Sequence, residues 1–405
     1  MIGKREPTAA AARAPWLLLA LATFSQVGMS LCQQGVAVLA VFVRQDLHLT
    51  LAQMGLLVSA MSIGVVAGQI LSGLVIDGPG PRWVLFWGTS LAVVVAVLLS
   101  LVTTFAFWLA GLALLGVFLA SFPSSGARTI FSAFDERLRG LVMGIRQTGV
   151  PVGSALAAAL LPIFVAGVGL HRVWFGIAAL LAVAGGLFLL AMPRWRRPVA
   201  QRGGSGSLSG MWGPMAVALI LVSAQYSALA FMITNLQVRE GWSIGAAGLG
   251  LALIQVGGGM GRVGLGWWSD RIHRRGPVIA GLALLASVMA FVVGRLPAHA
   301  PGLLVVPILW LLGVGGVGWN GLSLTWAGER VGAARAGRAM SWTGSAAFLG
   351  SALYPPLFGT VVDHTHRYSV AWTALGVWLL VGFAIALVLS LLEERRRGTR
   401  LDAVR

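Results

Sequence analysis

Three arginines stand inside long apolar stretches: Arg128, Arg146 and Arg262. A charge at such a position costs roughly 2.5–3.5 kcal/mol on insertion scales, so each needs a compensating partner. The guanidinium is a planar fork of donors that matches a carboxylate or a similarly planar anion through two parallel hydrogen bonds. Recognition of a small anion is the chemistry this residue type offers here. All 12 carboxylates, from Glu6 to Asp402, and all 6 histidines (His48, His171, His273, His299, His364 and His366) fall in loops, tails or at the ends of apolar stretches. A proton relay through the protein therefore has no visible carrier, which leaves anion exchange, uniport or entry of a proton on the substrate. No cofactor or metal motif is present, and the single Cys32 excludes an intrachain disulfide and a cysteine-based metal cluster. An integral-membrane enzyme would need His, Asp or Glu converging at one interface, and the scattered loop carboxylates form no such set.

Depth separates the three. Arg262 precedes Asp270, at the end of its apolar stretch, by eight residues, which at 1.5 Å per residue places it about 12 Å inside. Arg146 lies about 10 Å from the same side in the opposite half of the chain, so two inward arginines facing one cavity would make an anion site. Arg128 closes its stretch near Asp135 and reads as structural. Polar side chains at comparable depth are Gln33 and Gln34 in the first stretch, Gln225 and Tyr226 in the seventh, Gln255 in the eighth and Asn320, beside Trp319, in the tenth. Each can donate to or accept from a solute, or act as glue between helices. Trp342 and Tyr354 in the eleventh stretch read as packing or interface anchors.

The elements that must position these residues are membrane helices. The chain has 405 residues, 58% hydrophobic and only 10% charged, with a mean hydropathy of +0.87, against about 25% charged in ordinary domains. A span needs roughly 20 apolar residues. That criterion predicts twelve helices, at 16–43, 51–76, 82–103, 106–128, 139–166, 171–192, 213–237, 245–268, 276–295, 302–327, 337–361 and 368–392. The run from Trp16 is too long for a cleaved signal peptide and is expected to be a retained first helix.

The net charge of +17 is topogenic rather than a nucleic-acid footprint. Of the 29 basic residues, the three arginines above lie within spans, 21 lie in one set of loops and tails, and five (Arg44, Arg172, Arg239, Arg295 and Arg367) in the other. The positive-inside rule makes both termini and the central loop cytoplasmic. The Gly- and Ser-rich segment around Arg194–Gly210 reads as a linker. The expected organisation is an N-terminal six-helix bundle at 1–192, a cytoplasmic linker at 193–212, and a C-terminal six-helix bundle with its tail at 213–405. The halves echo each other: Gly68-Gln69, Gly73 and Asp77 return as Gly261-Arg262, Gly266 and Asp270. A second echo pairs Gly140, Met143 and Gly153–Leu156 with Gly337, Met340 and Gly350–Leu353. Parallel repeats about an axis along the membrane normal are implied.

The loop GLVIDGPGPR (Gly73 to Arg82) and the loop GWWSDRIHRR (Gly266 to Arg275) resemble the signature of the major facilitator superfamily. The resemblance covers the whole chain, through helix count, central loop and both loop signatures. It implies an all-α membrane protein of twelve helices in two pseudo-symmetric bundles, acting as a secondary transporter. It also implies that Asp77, Arg82, Asp270, Arg271 and Arg275 are gating residues: a carboxylate at a helix end pairs with arginines or accepts from a facing helix N-terminus, and so locks one conformation. The first copy departs from the pattern, with Gly78 where an arginine is usual. The segment Arg139–Gly153 is similar to the fifth helix of cyanate and nitrate/nitrite porters, without the glycine-and-asparagine signature of the nitrate porters. The position of Arg262 relative to its loop Asp is similar to that of the substrate arginine in monocarboxylate and oxalate-type carriers, although Gly258 stands where proton-coupled members often place an Asp. Leu112 stands where the drug/proton antiporters carry an arginine.

The reading is a multi-pass, inner-membrane carrier of a small anion working by alternating access. Arg262 is its principal ligand, and Arg146, Gln34, Gln225, Tyr226, Gln255 and Asn320 are further candidates. Expected partners are the anionic solute and membrane lipids, with no nucleic acid, and a monomer is the expected state. Import is favoured over export. The rival is an efflux carrier for a neutral or amphipathic compound; a receptor or scaffold would be expected to carry a sizeable extramembrane domain.

Overall fold

The computed structural model describes residues 9–76, 79–134, 142, 145–193, 209–272, 274–331 and 336–402. Within these the chain forms α1 (Ala9–Leu47), α2 (Leu51–Val75), α3 (Pro81–Leu99), α4 (Phe105–Leu119), α5 (Ser121–Ala133), α6 (Gly149–Val168) and α7 (Leu170–Ala191). A short 3-10 turn at Ser209–Met211 leads into α8 (Trp212–Glu240), α9 (Ile244–Ile272), α10 (Arg275–Arg295), α11 (Gly302–Val317), α12 (Asn320–Val331), α13 (Ala336–Thr365) and α14 (Tyr368–Asp402). Twelve stretches are long and apolar enough to cross a membrane. In hydrocarbon every backbone N–H and C=O must be paired within its own segment, which is why these sequences become helices. Leu74, Leu190 and Leu303 are among the large apolar residues left on the outer surface, where lipid tails are their natural solvent. The centre is held by α1 and α8, the latter buried through most of its length from Val217 to Leu236.

The spans follow the predicted stretches closely, with two breaks that hydropathy did not show. The fourth, Phe105–Ile130, is split into α4 and α5 at Ala120, and the tenth, Gly302–Val331, into α11 and α12 around Gly318 and Trp319. Pro123 has no N–H for the carbonyl four residues back, which ends the first piece. In the tenth span Gly313, Gly315, Gly316 and Gly318 weaken the helix before the break. The breaks occupy corresponding places in the two halves, as the internal repeat requires. Of the expected linker at 193–212, residues 194–208 lie outside the described residues.

The two bundles meet along α2 with α13, α6 with α9, and α1 with α8. The first seam is backbone against backbone: a Cβ on Gly55 would lie 2.6 Å from the carbonyl carbon of Pro355, and one on Gly359 would lie 2.4 Å from the Leu51 oxygen. Pro355 and Pro356, both inside α13, explain a further contact. Pro356 supplies no N–H to the Ala352 carbonyl, and the Ser59 hydroxyl from α2 donates to it instead. These contacts lie from mid-depth toward the arginine-poor face. Toward the arginine-rich face, where α1 begins and α14 ends, α5 with α13 and α6 with α12 form no comparable seam among the described residues. Among the described residues the contacts between the bundles are thus concentrated from mid-depth toward the arginine-poor face.

Candidate functional site

The break in the tenth span fixes Arg262. In a continuous helix the Val317 carbonyl would accept from the residue four positions on; here the chain turns away, and Arg262 Nε donates to it at 3.1 Å. That is the one hydrogen bond of this side chain among the described residues. Neither Nη is among the buried orphan atoms, and the residue is half-buried, so the outer edge of the fork is open to the interior. Arg262 acts electrostatically on Tyr226 of α8, which lies near Gln34 on α1 and Ser351 on α13. Residues of both bundles therefore gather around the pair formed by Arg262 and Tyr226. Gln34 Oε1 is buried without a partner, and so are both amide atoms of Gln255, two helical turns from Arg262 along α9. Buried polar atoms without partners are rare and point to a missing ligand or water. Gln225 is buried next to Tyr226, and Asn320 is half-buried at the start of α12, directly after the break.

The expectation that Arg146 shares a cavity with Arg262 is not met by this conformation. Arg146 is only 2% exposed. Its Nη2 donates to Gln26 Oε1 at 2.6 Å and, at longer range, to the carbonyls of Phe122 at 3.3 Å and Pro123 at 3.4 Å, just past the break in the fourth span. The guanidinium lies flat on Gly126, where a Cβ would come within 2.5 Å of it. It joins spans one, four and five within one bundle.

Of the expected gating residues, Arg82, Arg271 and Arg275 each have a contact within their own bundle. Arg82 Nη1 donates to the Met192 carbonyl at 3.0 Å, and Arg275 bridges Asp270 and Glu329, at 2.7 Å each. Arg271 lies over the Trp267 ring at 5.6 Å. Asp77 lies outside the described residues. Around this cluster Arg274 pairs with Glu394 at 2.9 Å and Arg330 with Glu393. Tyr354 stacks on Trp378 and Trp342 is 51% exposed.

Sequence reasoning missed Ser351, the Val317 carbonyl and Gln26. Nothing local marks the first two. The double proline four and five residues after Ser351, and the glycine run before the tenth-span break, were the available signals of irregular backbone at mid-depth.

Comparison with known proteins agrees with this architecture. The family model for the Major Facilitator Superfamily matches residues 18–355 and 215–404. An uncharacterised MFS-type transporter of Mycobacterium tuberculosis, Rv2994, is 30% identical over 403 residues, 97% of this chain and 89% of that protein. The probable nitrate/nitrite transporter NarK2 of the same species is 27% identical over 361 residues, covering 84% and 87% of the two chains. Among solved structures, a bacterial homologue of the human lysosomal transporter Spinster, inward-facing and unoccupied, superposes with a TM-score of 0.76 over 95% of this chain and 98% of that one, at 14% identity. Twelve spans in two repeated bundles and a family model matching nearly the whole length leave one assignment: the chain belongs to the major facilitator superfamily of membrane transporters.

Proposed function

We propose that this transporter is secondary and moves a small anion, a carboxylate or a similar organic anion, by alternating access between the two bundles. One observation carries the reading: Arg262 is anchored through Nε to a backbone carbonyl at mid-depth while its Nη edge stays open to the interior. A guanidinium held by one nitrogen with the others free is preorganised for a planar anion, which would supply the missing countercharge. Gln34, Gln255 and Tyr226 offer the further donors and acceptors that orient a bound solute, with Gln225 and Asn320 alongside. The nitrate/nitrite assignment of one relative is consistent with an anionic cargo. The arginine-rich face is read as cytoplasmic under the positive-inside rule, which puts both termini inside, in the inner membrane, and makes the present conformation inward-facing. Asp77, Arg82, Asp270, Arg271 and Arg275 serve as the inner gate, re-pairing across the bundles when that face closes.

The test is uptake of labelled mono- and dicarboxylates, cyanate and nitrate into proteoliposomes, with the native protein and Arg262→Ala side by side. A thermal-shift panel of the same compounds selects the cargo first, because a ligand that binds only the folded form raises its melting point. Anion uptake that is undiminished in Arg262→Ala, at equal reconstitution, would remove the anion site.

A further inference from the structure

On the sealed, arginine-poor face the bundles are joined by a carboxylate at a helix end. Asp363, two residues before the end of α13, accepts from the backbone N–H of Leu51 at 3.0 Å through Oδ1 and of Ala52 at 2.7 Å through Oδ2. Those are the first two residues of α2, in the other bundle. The next N–H, of Gln53, is taken by the Thr50 hydroxyl at 3.1 Å, and the Gln53 side chain returns to the Thr50 N–H at 2.9 Å. The free donors at the start of α2 are therefore divided between a local capping box and a residue 311 positions away. Arg44, at the end of α1, and Asp363 both act electrostatically on Tyr368 at the start of α14, so charges from both bundles gather here.

We infer that Asp363 is the outer latch of the transport cycle. An anionic side chain on the positive end of a helix is favourable, and its two hydrogen bonds are charge-assisted. Both exist only while α2 and α13 are together. Asp363 is half-buried and its neighbours His364 to Arg367 are exposed, so when the seam opens, water can take over the Leu51 and Ala52 donors. The contact biases the conformation without locking it. The same two spans carry the expected inner latch in reverse: Asp77 follows the end of α2, toward the face where α13 begins. A rocking pair of bundles held by one carboxylate on each face has two defined end states. The inference rests on alternating access and is independent of the cargo.

The test is conformational and uses the full-length protein in a bilayer, with the native Cys32 replaced by serine. Reporter Ser59→Cys sits in the seam, and a membrane-impermeant maleimide is applied from the arginine-poor side. A spin-label pair at Trp83→Cys and Ile272→Cys, exposed positions near the other face in opposite bundles, reports its closure. Asp363→Ala is expected to raise Ser59→Cys labelling about tenfold and to move the spin-label distances toward a shorter population; a tenfold shift corresponds to about 1.4 kcal/mol. Asp363→Asn keeps the shape and one acceptor oxygen and should fall between, which keeps the test open if the alanine variant does not fold. A merely structural Asp363 would lower the melting point, or loosen the seam, without shortening the distance, and that result would overturn the latch. Native protein that samples both distances while Asp363→Asn and Asp363→Ala leave their ratio unchanged would overturn the latch alone. Native protein confined to one distance with and without a transported anion would overturn the rocking cycle and the latch with it.

Discussion

Arg146 and Arg262 are the same residue type at nearly the same depth in opposite bundles. Where α6 and α9 touch, Pro151 meets Gly259; Arg146 is five residues and Arg262 three residues from that contact, toward the same face. The difference in depth is therefore about 3 Å. Each lies beside a broken span. Among the described residues each gives a single nitrogen to the protein, yet Arg146, bonded through Nη2 to Gln26 and two carbonyls, is shut in against the bare Cα of Gly126 with its Nε buried and unpartnered, while Arg262, bonded through Nε to Val317, is half-buried with its Nη edge open. The comparison teaches that burial of a charge in a membrane protein does not by itself identify a ligand site. What matters is whether the charged group keeps an edge that a solute can reach.

Four substitutions sharpen or break that contrast, and they are ordered by the expected effect on anion transport. Arg262→Ala should lower anion kcat/KM about 100-fold, the loss of about 3 kcal/mol from a charge-assisted pair, with a melting temperature close to native; flux measurements and thermal unfolding together check this. Gln34→Leu removes a buried amide whose Oε1 has no protein partner. Its KM is expected to rise about tenfold, since one hydrogen bond to a charged solute is worth about 1.5 kcal/mol. A KM unchanged in that variant would mean that α1 contributes no contact to the cargo. Tyr226→Phe keeps the ring and deletes a hydroxyl near Ser351, Gln34 and Arg262; competition by unlabelled anion should weaken about threefold. Arg146→Ala should leave KM within about twofold of native in the folded fraction while lowering the melting temperature by several degrees, because it empties the space over Gly126 and strands the Gln26 amide. The contrast would collapse if Arg146→Ala impaired anion transport as severely as Arg262→Ala at unchanged stability.

Much of the architecture was legible in the residues. Span limits are fixed by runs of apolar side chains against a hydrocarbon core of defined thickness, and the repeat shows as Gly68-Gln69 and Asp77 returning as Gly261-Arg262 and Asp270. The site was half legible. Arg262, Tyr226 and Gln34 stand out because polar groups are costly in lipid, and the fold brings them together. Hydropathy also admitted Arg146 as a further candidate beside Arg262, because a window average cannot tell whether a guanidinium faces a cavity or the carbonyls of a neighbouring helix. Asp363 was passed over as an ordinary loop-end carboxylate. Its significance comes from a partner 311 positions away that no local pattern reveals.

The amino-acid sequence alone determined the twelve spans, the two related halves, the scarcity of intramembrane charge and the asymmetry of arginines between the faces. These follow from the free energy of moving side chains between water and lipid, which depends on composition and order. The tertiary structure decided which face holds the seam between the bundles, which arginine is enclosed and which keeps an open edge, and where spans four and ten break. Those depend on how close two backbones approach and which orphaned carbonyl lies within reach of which side chain, and distances of that kind exist only after the helices have packed.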